Sequence, residues 1–156
     1  MQALKPLFFL HGTSTIYLPL IERHGLKEPY LTDQEKMAAY FADTATIIDP
    51  PTRQIIEDLG LSTKGNKPIV LQVAVYDPKK LRVDKEMWGE PLDFIKREYD
   101  IERDQEWFEA IREGYIESPI NPFDWQTSIK VVHAIKYEGT IPPKHLGVAR
   151  KPRVRD

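Results

Sequence analysis

The sequence contains no cysteine, which excludes disulfide bonds, thiolate zinc sites and a cysteine nucleophile. It has no apolar run long enough to span a membrane, and Lys5 and Pro6 interrupt the N-terminus where a secretory signal would need apolar residues. A net charge of -2 gives no general attraction to nucleic acid or to anionic lipid. We therefore predict a cytoplasmic protein without a membrane partner.

Glycine is scarce as well, with 8 glycines against 13 prolines, so the connections are expected to be stiff and well defined. The chain has 156 residues, of which 41% are apolar, and this is enough for one domain with a sizeable core. We predict a single domain over residues 1–148 and a loose basic tail over residues 149–156.

Three apolar segments are predicted to form strands. They are residues 6–11, which Gly12 ends, residues 68–76 and residues 129–137. Between the strands we predict short helices, one terminated by Gly25 and another opened by Pro50-Pro51. This order of elements indicates a mixed α+β fold.

A further helix is predicted from a capping box, because Thr32 is followed three positions later by Glu35. The apolar spacing of that helix places three side chains on its inner face: Met37, Tyr40 and Phe41. Residues 81–118 are acidic and aromatic, and we interpret them as amphipathic surface helices in which Trp88 and Trp107 serve packing.

Signatures of metal, phosphate and dinucleotide sites are missing from the sequence. The 4 histidines lie far apart without the spacing of metal ligands, so no metal site is predicted. There is neither a glycine-rich phosphate loop nor a nucleophile elbow. What stands out is H-G-T-S at residues 11–14, where an apolar strand ends in polar groups. Taken alone, this motif predicts that His11 is a core histidine, that Gly12 makes a tight turn and that Ser14 caps the next helix.

Five segments resemble motifs of the ADP-ribosyltransferase superfamily, in the order of that family. They are L-H-G-T-S, E-R-H-G-L, P-Y-L-T-D with the following A-A-Y-F-A, P-I-V-L-Q-V-A-V and G-T-I-P-P-K-H-L. The likeness is to the branch with a His-Tyr-Glu type site, which includes poly-ADP-ribose polymerase catalytic domains and DNA-targeting toxins. It also touches the tRNA 2'-phosphotransferases. The resemblance implies an α+β split sheet in a single domain with short flanking helices.

The resemblance implies that NAD is the co-substrate. His11 would bind a ribose hydroxyl of NAD, and the backbone of Gly12 would hold the nicotinamide amide. Thr13 and Ser14 would line the adjoining ribose pocket. These roles would make the end of the first strand one wall of a nicotinamide site.

Tyr30 corresponds to the tyrosine of the family's second motif, and Tyr40 to the ring that stacks on nicotinamide. A flat cationic ring is well held between aromatic faces. The phosphotransferases carry a second histidine where this chain has Tyr30, with arginines nearby, and P-Y-L-T-D has no arginine. The resemblance therefore favours NAD-dependent transfer over phosphate removal.

The family's third motif brings a glutamate close to the position of His133, where this chain has no carboxylate. Three readings stay open. In a shifted register Gln126, the first choice, or Ser128 takes the catalytic role beside His11 and Tyr30. Alternatively, the enzyme works without a carboxylate because transfer of a single ADP-ribose has less need to activate an acceptor hydroxyl, or the site is degenerate. The candidates for this position are therefore Gln126, Ser128, Lys130 and His133.

Two functions follow as hypotheses. The first is a toxin-like, NAD-dependent mono-ADP-ribosyltransferase, that is, a glycosyl transferase, whose acceptor is a protein in the first place, or else a nucleic acid or small molecule. It predicts an open cleft on which His11, Tyr30 and Tyr40 converge. The second is a catalytically degenerate NAD-binding or interaction module of the same fold, which predicts a cleft packed shut.

Overall fold

The computed structural model describes residues 5–84, 87 and 124–149 of the chain. The strands are β1 (Leu7–Ser14), β2 (Leu26–Lys27), β3 (Tyr30–Thr32), β4 (Pro68–Val75), β5 (Leu81–Val83), β6 (Ala134–Tyr137), β7 (Thr140–Ile141) and β8 (Leu146–Val148). The helices are α1 (Leu18–His24), α2 (Glu35–Ala45), α3 (Pro50–Asp58) and α4 (Trp125–Val132). Short 3-10 turns cover Thr15–Tyr17, Pro78–Lys80 and Pro143–His145.

The strands form a six-stranded sheet in the order β5-β6-β3-β1-β4-β8 and a small sheet of β2 and β7. Throughout the described residues the paired strands run antiparallel. The combination of an antiparallel sheet with separate helices confirms the predicted α+β class. In the same residues no helix is long and apolar enough to cross a membrane.

The core lies on one face of the large sheet. Phe9 of β1, Leu31 of β3 and Ile135 of β6 are all buried there, together with Ile21 of α1. Trp125 at the start of α4 meets the Phe9 ring edge-on, with ring centroids 6.2 Å apart. Burial of these apolar side chains is the main force that holds α1 and α4 against the sheet.

Gly12 does not end the first strand, contrary to the prediction. β1 continues to Ser14, and Gly12 lies opposite Val70 in an unbroken ladder with β4. Glycine is needed at position 12 because helix α2 packs closely against β1 there, on the face of the sheet opposite the core. A Cβ at Gly12 would overlap the carbonyl oxygen of Ala38 and lie 2.6 Å from the backbone nitrogen of Ala42. The glycine therefore permits a close helix-to-strand approach and does not make a turn.

The predicted capping box is wrong. α2 begins at Glu35 with Gln34 as its N-cap, while Thr32 belongs to β3. The Thr32 hydroxyl donates to the carbonyl oxygen of His133 at 2.5 Å and accepts from the backbone nitrogen of Gln34 at 3.1 Å. Thr32 thus links the end of β3 to the residue before β6. Its buried hydroxyl has both a hydrogen-bond acceptor and a donor as partners, as buried polar groups generally do.

The predicted inner face of α2 is also wrong in part. Ala38 and Ala42 are its most buried residues, with 0% and 1% exposure, whereas Tyr40 is 67% exposed. Small residues are required at the contact because Gly12 brings the strand so close. The aromatic side chains of α2 are therefore displaced from the helix-to-strand interface.

Residues 129–137 form a helix end followed by a strand, where one strand was predicted. Residues 125–132 are helical, because Asp124 accepts from the backbone nitrogen of Gln126 at 3.0 Å and so caps α4. His133 ends the helix in the left-handed conformation, with φ of 58°. Only Ala134–Tyr137 continue as β6, and its partner β5 lies in a segment predicted to be helical.

Other predictions are confirmed. β4 covers Pro68–Val75, and Gly25, with φ of 78°, terminates α1. Pro50-Pro51 opens α3, whose N-cap Asp49 accepts from the backbone nitrogen of Thr52 at 2.8 Å. Trp88, Trp107 and residues 150–156 lie outside the described residues.

Candidate functional site

The large sheet is split at its centre. β1 pairs with β4 over its whole length, but it pairs with β3 only through Leu10 and Thr32. A pocket of about 260 Å³ draws its walls from both strands and from the residues after β5. Its lining residues are His11, Gly12, Tyr30, Phe41, Asp84 and Met87.

His11 bridges the split with its side chain. Its Nδ1 lies 2.7 Å from the carbonyl oxygen of Tyr30, and since a carbonyl can only accept, Nδ1 carries the proton. Burial lowers the pKa of His11 below its usual value, and the hydrogen bond to Tyr30 offsets this only in part. The imidazole is therefore neutral at neutral pH, and its Nε2 is a hydrogen-bond acceptor.

The ring that α2 contributes to the pocket is Phe41. Tyr40, to which the resemblance assigned the stacking role, is absent from the lining and is 67% exposed. The two rings touch edge to face, with centroids 6.0 Å apart. Helix α2 therefore does contribute an aromatic side chain to the pocket, but it is Phe41 and not Tyr40, the residue that the resemblance assigned to this role.

Thr13 and Ser14 are buried and do not line the pocket. The Ser14 hydroxyl donates to the side-chain oxygen of Asn66 and accepts from the backbone nitrogen of Ile16 at 3.3 Å. Asn66 in turn donates to the carbonyl oxygen of Thr46 at 2.7 Å. Ser14 thus anchors the loop before β4, and its predicted contact with a ribose finds no support in this geometry.

Tyr30 lines the pocket, and 39% of its surface is exposed. The Nζ of Lys136, its cross-strand neighbour in β6, is 5.3 Å from the centre of the Tyr30 ring. This is within the range of a cation-π contact. Tyr30 therefore lines the pocket and also contacts a positive charge.

Asp84 lines the pocket and is an acidic residue that was not predicted from the sequence. It follows β5 directly and is 3% exposed. Its backbone nitrogen donates to the Ser128 hydroxyl at 3.3 Å, and its Oδ1 accepts from the backbone nitrogen of Met87 at 3.3 Å. The signal was the apolar alternation of Leu81 and Val83, which is typical of a short strand that delivers the next residue to a sheet edge.

The four candidates for the third motif do not line the pocket. Gln126 is exposed in the first turn of α4, and Lys130 is exposed further along that helix. Ser128 is fully buried and donates to the carbonyl oxygen of Ala134 at 2.6 Å.

His133, the last of these candidates, faces an acidic residue. Its Nδ1 lies 3.2 Å from a carboxylate oxygen of Asp33, in the segment between β3 and α2. About two fifths of each side chain is exposed, at 37% and 43%. In such an exposed setting the pair contributes little stability because water screens it.

Within the described ranges no group of three histidine or acidic residues could hold a metal ion. The chain matches no protein-family model, no curated protein and no solved structure. The assignment of function therefore depends on the pocket itself.

Proposed function

We propose that the protein is a mono-ADP-ribosyltransferase that binds the nicotinamide end of NAD in the pocket between β1 and β3. The observation that carries this proposal is the meeting of His11, Tyr30, an aromatic ring and a carboxylate residue around one open pocket. These groups come from four separated parts of the chain. A packed core would have no need to leave space between them.

The size of the pocket supports the nicotinamide end as its occupant. Pockets that enclose a drug-sized ligand have volumes of about 300 to 1,000 Å³, and about 260 Å³ is just below that range. Nicotinamide and part of its ribose fit this space, while the adenosine half extends outside it. The rings of Phe41 and Tyr30 supply the aromatic surfaces that a flat, cationic ring prefers.

The protonation of His11 supports a role in binding a hydroxyl. Its Nδ1 proton is committed to the Tyr30 carbonyl, so Nε2 is left to accept a hydrogen bond from a ribose hydroxyl. The same bond fixes the orientation of the ring. A neutral histidine also adds no positive charge next to a nicotinamide ring that is itself cationic, which a protonated one would repel.

Asp84 is the residue that we propose for the carboxylate role. When the bond between nicotinamide and ribose breaks, positive charge develops on the ribose, and a nearby carboxylate stabilises that charge. Asp84 is positioned by its backbone bond to Ser128 and by the amide of Met87. The resemblance placed this role near His133, and the pocket favours Asp84.

The test is release of nicotinamide from NAD, measured with label on the nicotinamide, for the wild type, His11→Ala and Asp84→Asn. We expect release by the wild type, and a loss of about a hundredfold in Asp84→Asn with NAD binding retained. In a cell lysate, label on the adenosine half should appear on the acceptor.

The two hypotheses separate cleanly in this assay. Binding of NAD by the wild type without release, alone or in lysate, would assign the degenerate binding module. A chain that binds no NAD at millimolar concentration would rule out the transferase and leave the interaction module, which does not require the pocket to accept nicotinamide.

A further inference from the structure

A row of three side chains crosses the sheet beside the pocket. Tyr30 of β3 lies opposite Lys136 of β6, and Lys136 lies opposite Arg82 of β5. Side chains that face each other in this way across antiparallel strands project from the same face of the sheet. The row therefore starts at a residue of the pocket and continues with two cations.

The two cations are not equivalent. Arg82 already has an anionic partner, because its Nε lies 2.9 Å from a carboxylate oxygen of Glu138, and its Nη1 donates to the carbonyl oxygens of Lys79 and Leu81. Lys136, in contrast, forms no ion pair with any residue in the described part of the chain. Its Nζ contacts the ring of Tyr30, which leaves its three N–H donors without an anionic partner there.

We propose that Lys136 binds the phosphate group next to the nicotinamide ribose and thereby selects phosphorylated nicotinamide compounds. This inference rests on the proposed function, since it takes the nicotinamide ring to occupy the pocket beside Tyr30. A ribose phosphate is joined to that ring through the sugar, so it lies several bonds away from a ring bound beside Tyr30. The Nζ of Lys136, 5.3 Å from the centre of the Tyr30 ring, is the cation next to that position. An ammonium group is a point charge that suits a phosphate, and the contact with Tyr30 holds its flexible chain in place.

The test compares two probes that differ by one phosphate, nicotinamide riboside and nicotinamide mononucleotide. Titration calorimetry of the full chain gives a Kd for each. We expect the wild type to bind the mononucleotide about tenfold more tightly, which is the size of one charge-assisted hydrogen bond. Lys136→Gln should bring the two Kd values together by weakening the mononucleotide alone.

Two control variants make the comparison specific. Lys136→Arg keeps the positive charge at the same position and should retain most of the preference. Lys64→Gln removes an exposed lysine of the loop before β4 and should leave both Kd values at their wild-type level. Because Lys136 is partly exposed, its substitutions are expected to fold, and the melting temperature of each variant checks this.

The outcomes distinguish this inference from the function on which it rests. If the wild type binds both probes equally, or if Lys136→Gln keeps the preference, the phosphate role of Lys136 is wrong while the nicotinamide pocket stands. If the wild type binds neither probe, both the pocket assignment and the role of Lys136 are overturned.

Discussion

At the scale of single residues, His11 decides how the site responds to pH. Burial holds the pKa of His11 below its usual value of 6.5 in the folded chain, whereas the unfolded chain titrates near that value. Below pH 6.5 the unfolded chain therefore binds more protons, which favours unfolding. The stabilising contribution of neutral His11 is fully present above pH 6.5 and is lost as the pH falls from there towards the folded pKa.

We predict that His11→Gln loses less stability on acidification than the wild type does, because the substituted side chain cannot take up the proton. Urea unfolding at about pH 7.5 and pH 5.5 measures this difference. His24→Gln, at an exposed histidine near the end of α1, is the matched control and should retain the wild-type dependence. Equal pH dependence in His11→Gln and the wild type would contradict the burial of His11.

A second prediction at this scale concerns the aromatic wall of the pocket. Phe41→Leu should weaken NAD binding by about tenfold, because it removes a ring contact worth about 1 kcal/mol and part of the apolar wall. Tyr40→Leu, one residue earlier on the exposed face, should leave the Kd unchanged. The opposite ranking of the two variants would restore Tyr40 as the stacking ring.

The site residues could be predicted from sequence only where a motif names them. His11, Gly12 and Tyr30 were named in this way and line the pocket. Phe41 was missed because adjacent residues of a helix differ in direction, and only the close packing of Ala38 against Gly12 fixes which aromatic residue turns to the pocket. Asp84 was missed because its neighbours in space come from distant parts of the chain.

At the scale of secondary-structure elements, the contact between β1 and α2 is the most restrictive. We predict that Gly12→Ala lowers the free energy of unfolding by about 1 to 3 kcal/mol or more, since backbone atoms of Ala38 and Ala42 occupy the space of the added methyl group. Denaturant midpoints measure the loss. Gly147→Ala, in a strand where the methyl group meets no atom within 4 Å, should change stability by less than about 0.5 kcal/mol.

Helix α4 leads to a prediction about its cap. Asp124 accepts from the backbone nitrogen of Gln126 and, at 3.1 Å, from the hydroxyl of Thr127. Asp124→Ala should therefore lose about 1 kcal/mol in urea unfolding. Asp43→Ala, at an exposed position of α2, should lose none. A loss as large in Asp43→Ala would mean that overall charge, and not the cap, is responsible.

The same helix shows why some elements could not be predicted locally. The β-branched residues of α4 favour a strand by propensity; they are Thr127, Ile129, Val131 and Val132. Tertiary contacts override that preference, because Ile129 packs against the core. His133 then ends the helix in the left-handed conformation. By contrast, β4 and α1 were predicted correctly, since their apolar pattern and their end signals agree with the packing they make.

At the scale of the whole molecule, the pocket lies where β1 and β3 diverge. Eight residues of β1 pair with β4, but a single pair joins β1 to β3, and the pocket lies at this split. The α+β class and the strand order do not depend on any ligand. The central claim is that this pocket binds the nicotinamide end of NAD through His11.

The most direct test is the melting temperature of the full chain with and without millimolar NAD. We predict a rise of several degrees, since a ligand present at about a hundred times its Kd stabilises the fold by about 2.7 kcal/mol. His11→Ala should abolish the rise, and His24→Ala should keep it. No rise in the wild type, or an equal rise in His11→Ala, would contradict the claim.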